Sequence, residues 1–159
     1  MLQVRRAEPV HVDDVVTCLA RLHFDNHAPF NQDTVLPSIK DGIVYVAIDD
    51  SLPGEAAVQG AMIFAEEHES YRIRALSSRS ETSRGAGRAL VEYAIRRCEQ
   101  EGVPKLWCWS LDLYDVKDFY RKFGFTEAHR LKKQFFGRDC WFFGRIIEPA
   151  ERSATQGET

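Results

Sequence analysis

Arg84-Gly85-Ala86-Gly87-Arg88 stands directly ahead of an apolar three-four repeat at Leu90, Val91, Ala94, Ile95 and Cys98. Those positions share one helical face, while Arg88, Glu92, Arg96 and Arg97 point elsewhere. A glycine-rich turn therefore opens into an amphipathic helix. The first turn of a helix carries backbone N–H groups without intrahelical acceptors and partial positive charge, and glycine lets an anion approach that backbone. The chemistry within reach is phosphate binding by main-chain amides. The same turn also serves as a plain helix start that binds nothing.

Two standard nucleotide motifs do not fit. A P-loop needs Lys and then Ser or Thr after its last glycine, where this chain has Arg88-Ala89. A dinucleotide fingerprint needs a third small residue where Leu90 stands, and an apolar strand ending at its first glycine. The residues before Gly85, from Ser77 to Ser83, read as loop.

Further reactive side chains follow in Asp118-Phe119-Tyr120-Arg121-Lys122-Phe123-Gly124-Phe125. The Tyr120 phenol is either a hydrogen-bond donor for chemistry or a core aromatic beside Phe119. Arg72, Arg74, Arg79, Arg84 and Arg88 cluster around the glycine turn. They form a cationic patch for a discrete anion, or they pair with Glu66, Glu67, Glu69 and Glu81. His11, His23, His27, His68 and His129 lack metal-ligand spacing, so no metal is assigned. Arg130, Lys132 and Lys133 beside Phe135 and Phe136 look like a half-exposed strand with alternating polar residues.

These groups need a scaffold to hold them. Leu2–Arg6 alternates as a strand, and Val12, Val15, Val16, Leu19 and Leu22 mark a helix with Asp13 and Asp14 in its first turn. Phe24, His27, Pro29 and Phe30 follow, either lining a pocket or plugging the core, and residues 33–40 form a second short helix. Ile43–Ile48, Ala57–Ala65 and Tyr71–Leu76 read as three strands, the first two joined by a turn cluster ending in Pro53-Gly54. After the long helix, Gly102-Val103-Pro104 stops it and Leu106–Leu111 is a fifth strand. Val116–Phe123 is a short helix, and Phe125–Phe135 with Cys140–Ile147 is a terminal hairpin. Hairpins force antiparallel pairing, while strand-helix-strand crossovers favour parallel neighbours.

At 159 residues the chain fits one domain with a substantial core. The net charge of −3 argues against general nucleic-acid binding. Cys18, Cys98, Cys108 and Cys140 form no C-x-x-C pair and read as small core residues in a reducing compartment. Charges among the first thirty residues exclude a signal peptide, and no apolar run reaches the ~20 residues a membrane span requires. A soluble, cytoplasmic protein is expected.

The turn at Gly85 resembles the coenzyme A loop of the GNAT superfamily of acetyl-CoA-dependent N-acetyltransferases. That pattern is Gln or Arg, two residues, Gly, one residue, then Gly or Ala. Gly85 and Gly87 match; Thr82 stands at the Gln/Arg position, with Arg84 and Arg88 as substitute charges. Asp118–Phe125 resembles the family's late F-Y-x-x-x-G-F helix, with Leu113 and Val116 where Asn and Ala often stand. The element order is also that of the GNAT fold, over nearly the whole chain.

The resemblance implies an α/β fold with a mixed, mostly antiparallel central sheet of about seven strands, flanked by three to four helices. It implies one domain over residues 1–147, followed by a polar, disordered tail at 148–159. Acetyl-CoA is expected to bind through Ser77, Thr82, Ser83, Arg84, Gly85, Ala86, Gly87, Arg88 and Lys122, with its thioester between Ser77 and the strand of Trp109 and Ser110. Tyr120 takes the place of the family's leaving-group tyrosine. Tyr71 occupies the frequent carboxylate position, so Glu69 is chosen as the base over Glu67, His68 and Asp112. The implied reaction is acetyl transfer to a primary amine of a small molecule or peptide, by direct attack in a ternary complex. The alternative is a non-catalytic acyl-CoA-binding sensor. No nucleic acid or membrane partner is expected. The protein is a monomer or homodimer, with Cys140–Ile147 apolar enough to pair across a dimer.

Overall fold

The computed structural model describes residues 1–22 and 30–148, apart from the side chains of residues 55 and 56. The expectations for Phe24, His27, Pro29 and the tail beyond Glu148 lie outside the described residues. Seven strands form one sheet: β1 (Leu2–Arg6), β2 (Val44–Asp49), β3 (Val58–Glu66), β4 (Tyr71–Ser78), β5 (Lys105–Leu111), β6 (Glu127–Phe135) and β7 (Arg138–Ile146). Four helices accompany them: α1 (Val12–Leu19), α2 (Gln32–Lys40), α3 (Ala86–Glu101) and α4 (Lys117–Lys122). The mixed α/β class, strand number and helix number agree with the sequence reading.

The sheet order is β1-β2-β3-β4-β5-β7-β6, and among the described residues only β4 and β5 pair in parallel. That pair is joined through α3, the crossover expected between parallel neighbours. The second crossover, through α4, behaves differently. Strand β7 pairs with β5 from Lys105↔Ile146 to Leu111↔Cys140, and pairs with β6 on its other side. It therefore lies inside the sheet and separates β5 from β6. The expectation that Cys140–Ile147 pairs across a dimer is corrected by this placement: both edges of β7 are already used within the chain, and the outer strand is β6.

The sheet divides the core in two. On one face, Val15, Cys18 and Leu19 of α1 and Val35 and Ile39 of α2 pack on Val44, Val46, Ala61 and Ile63. On the other, Leu90, Val91, Ala94, Ile95 and Cys98 of α3 pack with Tyr120 on Phe64, Ile73, Leu106 and Phe143. The α3 residues are those of the three-four repeat, so the amphipathic spacing is satisfied by burial against the sheet. All four cysteines are free and buried. Among the described residues no helix is long and apolar enough to cross a membrane.

Strand β4 extends two residues beyond the boundary read from the sequence. Ser77 and Ser78 pair with Ala61 and Gly60, so both belong to the sheet rather than to the serine-rich loop. Their polarity suggests a loop, but the pairing partners are supplied by β3 and have no local signature.

Candidate active site

Strands β4 and β5 share two rungs, Tyr71↔Leu106 and Arg72↔Trp107, and no more. Beyond Arg72 the register with β3 also shifts. Ile63 faces Ala75 while its neighbour Phe64 faces Ile73, so Arg74 is an extra residue without a rung. A β-bulge of this kind bends its strand, increases local twist and re-aims side chains. The two parallel strands part at the bulge, and a cleft of about 500 Å³ lies between them. Ile73–Ser78 line one side, and Trp109, Ser110 and Leu111 the other.

The N-terminus of α3 closes one end of this cleft, through Ser83, Gly85, Gly87 and Arg88. Gly85 is its N-cap with φ of 82°, a left-handed conformation that suits glycine. No side chain caps the helix, and no acidic residue occupies its first turn. The Ser83 N–H donates to the Ser80 carbonyl (3.1 Å) and the Arg84 N–H to the Thr82 carbonyl (2.9 Å). These two amides serve the loop. The first helical bond runs from the Ala89 N–H to the Gly85 carbonyl (2.9 Å), which leaves the amides of Gly85, Ala86, Gly87 and Arg88 without intrahelical acceptors. The residues thus fit an anionic group: glycines give close approach, and the cap position offers no competing side-chain oxygen.

The preceding loop is held firmly. Ser83 is the one buried polar residue among those described, and its Oγ accepts from the Ser80 N–H (3.1 Å). Arg79 pairs with Asp14 of α1 (2.8 Å) and donates through Nε to the Val58 carbonyl (2.6 Å). Its carboxylate partner is on α1, not in the nearby glutamate run. Glu66 pairs with Arg97 instead, and Arg88 with Glu92 one helical turn away (2.8 Å). Arg72 lies over the Trp107 ring, 4.8 Å from its centroid. The alternative in which the arginine cluster is neutralised by Glu66, Glu67, Glu69 and Glu81 is not what forms.

Tyr120 lies on the cleft floor, 6% exposed, with its ring stacked on Phe143 and edge-on to Phe119 and Phe125. Burial, with a smaller contribution from the adjacent Cys108 thiol, holds the phenol well above its ordinary pKa. Burial likewise pushes the Cys108 thiol up to about 12. The Tyr120 proton therefore stays in place across neutral pH, leaving a hydrogen-bond donor in a dry setting.

The cleft brings together Ser77, Ser83, Gly85, Gly87, Arg88 and Tyr120 of the expected site. Thr82 and Arg84 are exposed on the loop outside the lining, Ala86 is buried against Gly60, and Lys122 is exposed on α4. Glu69 is exposed in the β3–β4 turn, at the end of β4 where β4 and β5 remain paired. The structure does not bring it to the cleft, and the same holds for Glu67 and His68. Asp112 is engaged elsewhere: its carboxylate accepts from Trp141 Nε1 (2.7 Å) and faces Arg130 (3.2 Å). Sequence reasoning missed Arg21, Leu22 and Tyr114, which also line the cleft, and the Cys108 thiol beside Tyr120. Only Tyr114 had a visible signal, being close to the F-Y segment.

Residues 40–127 match the sequence profile of the acetyltransferase (GNAT) domain, more than half of the chain. The chain belongs to this GNAT family. The GNAT architecture is equally evident among solved structures. Ard1 from Thermoplasma volcanium superimposes with a TM-score of 0.74 at 18% identity, covering 92% of this chain and 98% of that one. The ribosomal-protein-S18-alanine N-acetyltransferase from Escherichia coli gives 0.73 at 17% identity, covering 96% and 98%. The PaiA N-acetyltransferase from Thermoplasma acidophilum, solved in complex with coenzyme A, gives 0.69 at 12% identity, covering 92% and 99%. Sequence comparison with curated proteins finds no match.

Proposed function

We propose that this GNAT protein is an N-acetyltransferase that moves the acetyl group of acetyl-CoA to a primary amine by direct attack within a ternary complex. The observation that carries the reading is the parting of β4 from β5 beside an uncapped, glycine-lined helix terminus. Family membership supports acetyl transfer, and the coenzyme A complex of the similar PaiA enzyme supports the donor.

Bound acetyl-CoA supplies the acyl group as a thioester. The amides of Gly85 to Arg88 hold its diphosphate, and the β4 main chain freed by the bulge orients the donor along the cleft. Tyr120 donates a hydrogen bond to the departing sulfur. A phenol near ~10 is a weaker acid than a thiol near ~8.5, so hydrogen bonding rather than complete proton donation is its role in this dry floor. The acceptor nitrogen loses a proton before or during attack, and among the described residues no Asp, Glu or His lines the cleft.

Calorimetric titration of acetyl-CoA, paired with thiol release over a panel of amines, tests the reading. Saturable binding with amine-dependent release supports it. Saturable binding without release under any amine favours the acyl-CoA-binding sensor. Absence of binding removes both.

A further inference from the structure

The cleft has chemistry beyond the α3 terminus. Its walls include Leu22, Phe30, Trp109 and Tyr114, an apolar and aromatic surface suited to a compact organic body. Two polar features interrupt it. The Tyr114 hydroxyl is buried without a hydrogen-bond partner among the described residues. Arg74 lines the cleft, is exposed, and makes no ion pair among the described residues.

Arg74 is where it is because of the bulge. As the extra residue between Ile73 and Ala75 it has no rung on β3, and the acidic residues nearest in sequence do not reach it. Glu66 is held by Arg97, while Glu67 and Glu69 are exposed in the turn beyond the paired end of β4. The other cleft cations are more constrained: Arg88 pairs with Glu92, and Arg21 donates to the Ser78 hydroxyl (2.7 Å) and carbonyl (3.2 Å). A guanidinium without an ion pair among the described residues, in a cleft with no acidic lining residue among them, attracts an anion and repels a second cation.

We infer that the amine acceptor is a small molecule carrying an anionic group, whose anionic end is held by Arg74 while its body lies against the aromatic wall. The inference rests on the acetyltransferase reading above and names the acceptor class for it. Polyamines and other multiply charged cations are disfavoured by the same field.

The test uses acceptors that share one amine and differ only at the far end: 4-(aminomethyl)benzoate, its phosphonate analogue, its neutral carboxamide, and p-xylylenediamine. Thiol release from acetyl-CoA should give kcat/KM about tenfold or more higher for the anionic acceptors than for the diamine, with the carboxamide between. The carboxylate and phosphonate arms identify which anion the site takes. Arg74→Gln should compress the series to within about threefold by raising KM for the anionic acceptors. Arg74→Glu should invert it towards the diamine, a gain that misfolding does not produce. The inference is overturned if the diamine matches the benzoate, if Arg74→Gln lowers all four acceptors equally, or if it weakens acetyl-CoA binding instead. Turnover without charge preference sinks this inference alone. Acetyl-CoA binding without release for any acceptor at any concentration sinks the transferase reading, and this inference with it.

Discussion

The Cys108 thiol at the centre of β5 lies beside the Tyr120 hydroxyl of α4 on the floor of the cleft, and each group bears on the other's proton affinity. Cys108 also pairs with Phe143 of β7, whose ring stacks on Tyr120. The phenol is therefore aimed by the sheet as well as by its own helix.

Tyr120→Phe should lower kcat by about a hundredfold, the scale seen when one donor to developing negative charge is removed. Acetyl-CoA affinity measured by calorimetry should stay within about twofold. Because the phenol is held well above its ordinary pKa, wild-type kcat should show no falling limb below about pH 10 from this group. A kcat unchanged by Tyr120→Phe across pH would remove its role.

Cys108→Ala should leave a small cavity under Tyr120 and cost about 1 kcal/mol in chemical denaturation. Its kcat should fall several-fold with little change in KM for acetyl-CoA, and Cys108→Ser should restore most of the loss by keeping a hydrogen-bonding group. Equal kcat for all three proteins would show that the contact is packing alone.

The glycine turn should be intolerant for two separate reasons. At Gly85, a φ of 82° makes Ala cost about 1 kcal/mol. At Gly87, an added Cβ lies 3.3 Å from Phe119 Cζ, so Val crowds α4 and covers the first-turn amides. Gly87→Val should raise the acetyl-CoA Kd about tenfold or more while the melting temperature falls only a few degrees. Unchanged affinity would place the diphosphate elsewhere.

Alkali should destabilise the protein through its thiols. Burial pushes Cys18 up to about 11, and Cys98 and Cys108 up to about 12. The unfolded chain releases these protons near pH ~8.5, and the native state retains them. Stability is therefore whole below that pH and declines as pH rises towards the native values, by up to about 1.4 kcal/mol per pH unit for each thiol. Urea denaturation at pH 7, 9 and 10 checks the slope. Native protein at pH 8 should also leave all four thiols inert to a disulfide reagent until denatured.

Arg79→Met should release the loop ahead of α3, since it removes the Asp14 pair and the bond to the Val58 carbonyl together. A loss of about 2 kcal/mol in stability is expected for charge-assisted bonds of this kind. Faster hydrogen exchange at residues 80–88 and a raised KM for acetyl-CoA should accompany it.

The amphipathic spacing of α3, its glycine-rich start and the F-Y segment were legible because each is a property of a few consecutive residues. Helix periodicity, glycine's freedom at positive φ and the stopping of a helix act locally, so the strand and helix order followed from the chain itself. The site was legible to the same extent: Gly85, Gly87, Arg88 and Tyr120 lie within short motifs, and the structure gathers them around one cleft.

What joins distant residues was decided only in three dimensions. Strand β7 slips between β5 and β6, the bulge at Arg74 exists only against Ile63 and Phe64, and Ser77 and Ser78 are strand residues only because β3 pairs with them. Glu69 is near Arg74 in sequence yet sits beyond the paired end of β4, while Arg21 and Tyr114 arrive at the cleft from the segments that follow α1 and β5. Residue types and periodicity state which face of an element is apolar, but strand register and the point where two strands part depend on packing between segments far apart in the chain.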